Sequence, residues 1–322
     1  MKKLALLGAV LALLAVIGAG WFVAPYSAAT NLEEDTPYVV KQGATLTSIA
    51  RDLEEQGVID NADAMLLRAK FLGGDAPIQA GEFMLPAGAS FATIVDMLQN
   101  GDVIRRFVTV PEGLPSILVW ERLMAEDLLT GEIEVPEEGS ILPDTYDFER
   151  GESRAAVVAR MQGAMDTYLA QAWEKRTDKA VVKSPEEALI LASIVEKETA
   201  GADERPMVAG ALSNRIRIGM MLGADATTIY PITKGKPLGR RIRVSELRSK
   251  NPYNTRAVAG LPPGPITNPG REAIAAVLDP AETKALYYVA DGTGGHAFAE
   301  TLAEHNRNVA KWRQIRRERG EM

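Results

Sequence analysis

The chain of 322 residues contains no cysteine. That absence removes thiol nucleophiles, disulfides, thiolate zinc sites and a lipid anchor of the lipoprotein type. Histidine is nearly as scarce. His296 and His305 are the only two, and their separation keeps them off a common helix face, which argues against a histidine-rich metal site. No metal and no cofactor is therefore expected. The sequence also lacks G-x-S-x-G, a Walker loop and a dinucleotide fingerprint. Positive charge is not in excess: the formal net charge is −7, which argues against a nucleic-acid partner, since phosphate neutralisation needs a basic surface. Arg313, Arg316, Arg317 and Arg319 are mixed with Glu318 and Glu321 and read as the solvated face of a last helix.

What is present is ordinary for folded protein, with 46% hydrophobic and 25% charged residues in a chain long enough for two or three domains. The exception is the N-terminus. After Lys2 and Lys3 no charge occurs from Leu4 to about Ala29, and Leu, Ala, Val and Ile dominate up to Val23. About 20 such residues span a bilayer as a helix, so residues 4–23 are expected to cross a membrane. Trp21 and Tyr26 fall where an aromatic belt would sit. Lysines on one side and Glu33, Glu34 and Asp35 on the other put the N-terminus in the cytoplasm and the rest outside. A signal peptide cleaved near Ala28 or Ala29 is the alternative, but the apolar stretch is longer than the usual h-region.

Residues 30–104 read as a small α+β module. Tyr38-Val39-Val40 is a strand signal, Gly43 a turn, and a helix capped by Thr45 or Thr47 follows, with Leu46, Ile49, Ala50 and Leu53 on one face. This pattern resembles a lysin-motif (LysM) carbohydrate-binding unit; a strand-turn-helix without a ligand reads equally well. Residues 79–86 are a second strand and residues 90–98 a helix capped by Ser90. Residues 105–150, with a strand at 106–110, a helix at 117–128 and a loop ending in Leu142-Pro143-Asp144-Thr145-Tyr146, are expected to join this module to a larger domain over 151–322. The overall class is α+β.

The most informative stretch is residues 184–201. Ser184 as N-cap, Pro185 at the first helical position and Glu187 three residues after the cap open a helix, and Gly201 can end it. Leu191, Ile194, Val195 and Glu198 stand at i, i+3, i+4 and i+7, one apolar stripe that must face the core. Relative to Glu198, Glu196 is turned by roughly 200° and Lys197 by roughly 100°, so both are expected to reach water. A carboxyl on the buried stripe has its pKa raised by desolvation, the state a general acid needs. An acid-base-acid run near a helix end is also what a solvated, locally paired face looks like.

A long helix over about 153–176 precedes this one, and another follows with Val208, Ala211, Leu212, Arg215 and Ile216 in register. Three loop-like stretches come next, at 223–230, 251–255 and 260–270, dense in Pro and Gly. Such density fixes a non-repeating backbone, suited to a rigid groove wall or simply to a surface loop. Ala285-Leu286-Tyr287-Tyr288-Val289-Ala290 is the last strand signal, and a helix from about 302 to 317 closes the chain. His296, after a glycine turn, either orients a ligand or caps the turn.

From about Ser184 to Asn306 the chain resembles the membrane-anchored endolytic murein transglycosylases of bacteria, the YceG-like family. The resemblance is carried by Ile194-Val195-Glu196-Lys197-Glu198-Thr199, Asn214-Arg215-Ile216, residues 225–230, Tyr253-Asn254-Thr255, Gly260-Leu261-Pro262-Pro263-Gly264, Asn268-Pro269-Gly270, and Gly294-Gly295-His296 with Phe298. It implies Glu198 as catalytic acid, and Thr199, Asn214, Asp225, Thr227, Tyr230, Tyr253, Asn254, Thr255, Leu261, Pro262, Pro263, Asn268, His296 and Phe298 as substrate-binding residues. It further implies cleavage of the β-1,4 bond between N-acetylmuramic acid and N-acetylglucosamine within glycan strands, 1,6-anhydromuramyl ends, a single-pass inner-membrane anchor, a periplasmic catalytic domain, and work beside peptidoglycan synthases at the ends of nascent strands. Gly223 and Ala224 depart from the family's usual Gln and Thr or Ser, leaving sugar positioning there to backbone or to Asp225 and Thr227. Two rivals remain: a hydrolytic muramidase with Asp225 as second carboxylate, and a non-catalytic wall-binding scaffold.

Overall fold

The structure, a computed structural model, describes residues 2–74, 76–199 and 201–321. Met1 of the expected cytoplasmic segment and Ala200 beside the expected helix end lie outside the described residues. Two compact units emerge: one runs to Arg106 and includes Asp147–Gly151, the other contains Phe107–Tyr146 and the chain from Glu152 onward. Both mix helix with short strands, an α+β architecture.

In the first unit, α1 (Lys2–Ser27) contains Leu6–Ser27, long and apolar enough to cross a membrane. The two aromatics near the end of this helix differ in their surroundings. Trp21 is 76% exposed, but Tyr26 is 4% exposed and meets the Phe91 ring edge-on at 5.9 Å, because the helix continues past Val23 and its last turn joins the core. β1 (Thr36–Val40) pairs antiparallel with β2 (Gly81–Leu85), Tyr38 opposite Phe83. Between them lie α2 (Leu46–Glu55), started by a reciprocal cap of Thr45 and Ser48, and α3 (Ala62–Leu72), which sequence reading left unassigned. α4 (Phe91–Asn100) follows its Ser90 cap. Strands β3 (Arg105–Thr109) and β4 (Thr145–Glu149) carry the chain across the division between units.

The second unit is mostly helical: α5 (Ser116–Met124), α6 (Arg154–Glu174), α7 (Pro185–Glu198), α8 (Arg205–Arg217), α9 (Asp225–Thr233), α10 (Val244–Leu247), α11 (Arg271–Leu278) and α12 (Leu302–Glu318). The hairpin of β5 (Tyr287–Ala290) and β6 (His296–Ala299) precedes α12. α7 starts as read: the Glu187 N–H donates to Ser184 Oγ at 3.2 Å, with Pro185 at the first position. It packs against α6, α8, α9 and α11, so Ala188, Leu191, Ala192, Ser193, Ile194 and Val195 are all buried. Even the polar Ser193 fits, donating to the Ile190 carbonyl at 2.7 Å and accepting the Ile266 N–H at 3.1 Å.

One expected loop differs. Residues 225–230 belong to α9, although Ala224 offers no side-chain cap; the Ala224 N–H is held instead by Thr255 Oγ1 at 3.2 Å, a tertiary contact doing the work of a local signal. Asn268, implied to bind substrate, is fully buried. Its amide accepts the Ile141 N–H at 3.0 Å and donates to the Leu114 carbonyl at 2.9 Å and Ser116 Oγ at 3.1 Å, so it fastens the Asn268-Pro269-Gly270 stretch to the loops around α5.

Asn268→Ala should therefore cost about 1–3 kcal/mol for the buried partners it strands, read as a lower unfolding midpoint of the full chain in detergent. An unchanged midpoint would contradict this role.

Candidate active site

Glu198 is the last residue of α7. Thr199 leaves the helix in an extended conformation (φ −145°), which sends the Glu198 side chain off the helix end into a cleft of about 380 Å³ lined also by Arg215, Met220, Met221, Gly223, Arg256, Tyr288 and His305. The Tyr288 hydroxyl donates to Glu198 Oε2 at 2.9 Å. Burial pushes the Glu198 carboxyl above its ordinary range and Asp225 adds to this, while the Tyr288 hydrogen bond and the guanidiniums of Arg215 and Arg256 pull the other way; the net shift is upward. The negative end of the α7 dipole acts in the same upward direction. Tyr288 is driven well above its own range by burial and by Glu198, so the phenol stays protonated and remains a donor.

Tyr288 is placed by the residues around it. Asn214 in α8 donates to the carbonyls of Thr283 at 2.8 Å and Ala285 at 3.0 Å, and Arg215 Nε donates to the Leu286 carbonyl at 2.6 Å. The strand that begins at Tyr287 is thereby clamped to α8. The Arg215 guanidinium lies 5.6 Å from the Tyr288 ring centre, a cation–π distance. Phe298 lies opposite Tyr288 in the hairpin, with ring centres 6.0 Å apart, and His296 meets the same ring edge-on at 5.6 Å. His296 is itself held: Glu204 accepts its backbone N–H at 2.6 Å and lies 2.8 Å from its Nδ1. Glu204 also accepts from Thr199 Oγ1 at 3.2 Å. Burial raises the Glu204 carboxyl, but its bonds to His296 and Thr199 outweigh that and leave it low. His305 stacks on Tyr287 at 5.3 Å, and burial with Arg215 nearby lowers its pKa, favouring the neutral ring.

Other residues implied to bind substrate stand in the framework. Thr227 and Thr255, both buried, share a hydroxyl contact of 2.8 Å, and the Thr255 carbonyl accepts the Gly223 N–H at 3.0 Å. Asn254 is buried; its amide donates to the carbonyls of Glu246, Leu247 and Ser249, and its oxygen accepts from Thr228 Oγ1 at 2.8 Å. These hydrogen bonds leave such side chains turned toward protein. Tyr230 and Tyr253 lie 4.9 Å apart, Leu261 packs on the same core, Pro262 is buried and Pro263 exposed. Asp225, at the start of α9, pairs with Arg256. Gly223 has a left-handed φ of 70°, a conformation that glycine supplies at no steric cost.

Glu196 corrects the helical-wheel reading. Its side chain is 5% exposed, not solvated. It accepts the Gly270 N–H at 2.8 Å and lies 3.5 Å from Arg205, which also pairs with Glu112 and Glu272. A Cβ on Gly270 would stand 2.0 Å from the Glu112 carboxylate, so a larger residue there would have to displace the Glu112 side chain. The wheel failed because it assumes one buried face, whereas α7 is covered on several. Sequence reading also missed Arg215, Arg256, Tyr288 and His305 as cleft residues. A signal existed for Arg215, a charge in register with the apolar stripe of α8, the same anomaly that singled out Glu198.

A sequence model described as the YceG-like family matches residues 38–311. The chain is 27% identical to a Bacillus subtilis protein named endolytic murein transglycosylase, over 92% of this chain and 91% of that one. It is 30% identical to a Streptococcus pneumoniae protein of the same name, over 70% of this chain and 39% of that one. The crystal structure of a YceG-like protein from Listeria monocytogenes superposes with a TM-score of 0.53 at 26% identity, covering 85% of this chain and 99% of that one. With α7, α8, α9 and the Tyr288 hairpin all inside the matched residues, the chain belongs to the YceG-like family.

Proposed function

We propose that the protein is an endolytic lytic transglycosylase that cleaves the β-1,4 bond between N-acetylmuramic acid and N-acetylglucosamine within peptidoglycan strands. The observation that carries this reading is the Glu198 carboxyl, biased toward its protonated form, open to a cleft and hydrogen-bonded to a phenol. Two relatives named endolytic murein transglycosylase support the substrate class. Glu198 donates its proton to the glycosidic oxygen as the bond to the muramyl anomeric carbon breaks, and the N-acetylglucosamine side leaves as an alcohol. The resulting carboxylate takes the proton of the muramyl C6 hydroxyl as that oxygen bonds to the anomeric carbon, which closes the 1,6-anhydro ring and restores the acid. Tyr288 donates to the carboxylate between the two steps. No water is consumed, and one carboxyl suffices. The hydrolytic rival draws less support, since its second carboxylate, Asp225, is engaged by Arg256.

Around this centre, residues 4–23 form a single-pass inner-membrane anchor with the N-terminus cytoplasmic and the rest periplasmic. The β1-α2-α3-β2 order with a groove at Tyr38, Lys41, Ser48 and Asp52 supports a LysM-like role for residues 30–104 in meeting the glycan. The product ends suit an enzyme that terminates nascent strands beside a peptidoglycan synthase.

Purified glycan strands digested with the full chain in detergent should yield anhydromuramyl ends by mass spectrometry; reducing ends would instead mean hydrolysis. Glu198→Gln should fold yet lose about 10²–10⁴-fold in turnover or more. Glu196→Gln should lower the unfolding midpoint while sparing the rate per folded molecule, because Glu196 faces Arg205 and Gly270; equal rate losses in the two variants would sink the assignment.

Tyr288→Phe removes a bond that favours the carboxylate, so the Glu198 pKa should rise further. The acid form then persists to higher pH, and the alkaline limb of kcat/KM should move up, with a rate loss of about ten- to a hundredfold for a hydrogen bond to a charged group. A limb that stays put or moves down contradicts the role given to Tyr288.

A further inference from the structure

The C-terminal half of α3 exposes large apolar side chains where a helix in water would be polar. Leu67 is 54% exposed, Phe71 70% and Leu72 40%, while the inward face is closed by Ala62 and Ala69. The apolar patch is continuous with the surface of α1. The Phe71 ring meets Phe22 edge-on at 6.1 Å, Arg68 Nε donates to the Phe22 carbonyl at 2.9 Å, and Trp21 beside it is open.

Depth along α1 identifies what covers the patch. At 1.5 Å per residue, about 20 residues cross the roughly 30 Å hydrocarbon layer. A span beginning at Leu4 therefore brings Trp21 and Phe22 to its outer boundary, the level at which tryptophan gathers and basic side chains meet phosphates. α3 is fixed to that level by its two contacts with Phe22, and Lys70 on its exposed side suits a headgroup phosphate. We propose that α3 is an interfacial helix that seats the first unit on the outer leaflet, Leu67, Phe71 and Leu72 immersed at the headgroup–acyl boundary. The ligand is the lipid surface itself. This rests on the reading of residues 4–23 as a membrane anchor and assigns the membrane a second contact, made by the folded domain.

The absence of cysteine makes the test direct. The full chain carrying a single Phe71→Cys or Val16→Cys substitution, labelled with an environment-sensitive fluorophore, is reconstituted into nanodiscs of phosphatidylethanolamine and phosphatidylglycerol. Both positions are exposed; Phe71→Cys gives up the ring contact with Phe22 but keeps the Arg68 hydrogen bond to the Phe22 carbonyl that holds α3 to α1. The probe at position 71 should lose emission to lipids spin-labelled near the headgroup and be shielded from aqueous iodide. The probe at position 16 should be quenched by lipids labelled deep in the acyl chains. Quenching at 16 with a probe at 71 that iodide reaches and lipid does not overturns the α3 contact and leaves the anchor standing. A probe at 71 shielded from both quenchers means that protein covers the face, and it overturns the proposal too. No lipid quenching at either position overturns the anchor and, with it, the α3 contact.

Discussion

Covering a helix on most of its faces constrains what its last turn can do, and in the second unit α7 is covered by α6, α8, α9 and α11. Six of its 14 residues, Ala188 and Leu191 through Val195, are buried by these neighbours, so the chemistry α7 can offer is at its end. There Thr199 breaks away and Glu198 meets a cleft. Desolvation then sets the state of the carboxyl, and the hairpin carrying Tyr288 supplies a hydrogen bond that stabilises its ionised form. The remaining framework serves that arrangement: Asn214 and Arg215 hold the strand that carries Tyr288, and Asn268 and Glu196 hold the segment packed beside α7.

The two glutamates near the end of α7 show that burial alone does not mark a reactive acid. Burial raises both. Glu196 is engaged by the Gly270 N–H and by Arg205, whose guanidinium also serves Glu112 and Glu272, and its side chain is only 5% exposed. Among the described residues Glu198 has one protein donor, Tyr288, and it has an open side. Its cations act at a distance, because Arg215 is occupied by backbone carbonyls and Arg256 by Asp225; they limit how far the carboxyl rises without locking it as a salt bridge. Accessible and desolvated together is the combination that general acid chemistry needs.

How much of this was legible in the chain depended on whether the cause was local. The starts of α2, α4, α6 and α7 follow from Thr45, Ser90, Ser153 and Ser184, each of which accepts an N–H three residues on. The start of α3 was equally local, with Asn61 as cap, but the exposed apolar side chains of its C-terminal half blurred its periodicity. α9 was not legible, because Thr255 rather than a neighbour holds its first turn. Asn254, Thr255 and Asn268, which the resemblance implied as substrate-binding, engage their side chains within the protein: Asn254 with nearby carbonyls and Thr228, Thr255 with Ala224 and Thr227, and Asn268 with Leu114, Ser116 and Ile141. The pairing of Tyr288 with Glu198 spans 90 residues, and no pattern within a four-residue strand could announce it.

The central claim, that Glu198 stands protonated where ordinary carboxylates are ionised, can be measured without substrate. Difference infrared spectra of the full chain against its Glu198→Gln variant, taken across a pH titration, isolate this carboxyl from Glu138 and Glu196, which burial also raises. A protonated carbonyl band assigned to Glu198 that persists well above the ordinary glutamate midpoint of about 4.3 is the predicted result. A band that disappears at or below that midpoint would contradict the account.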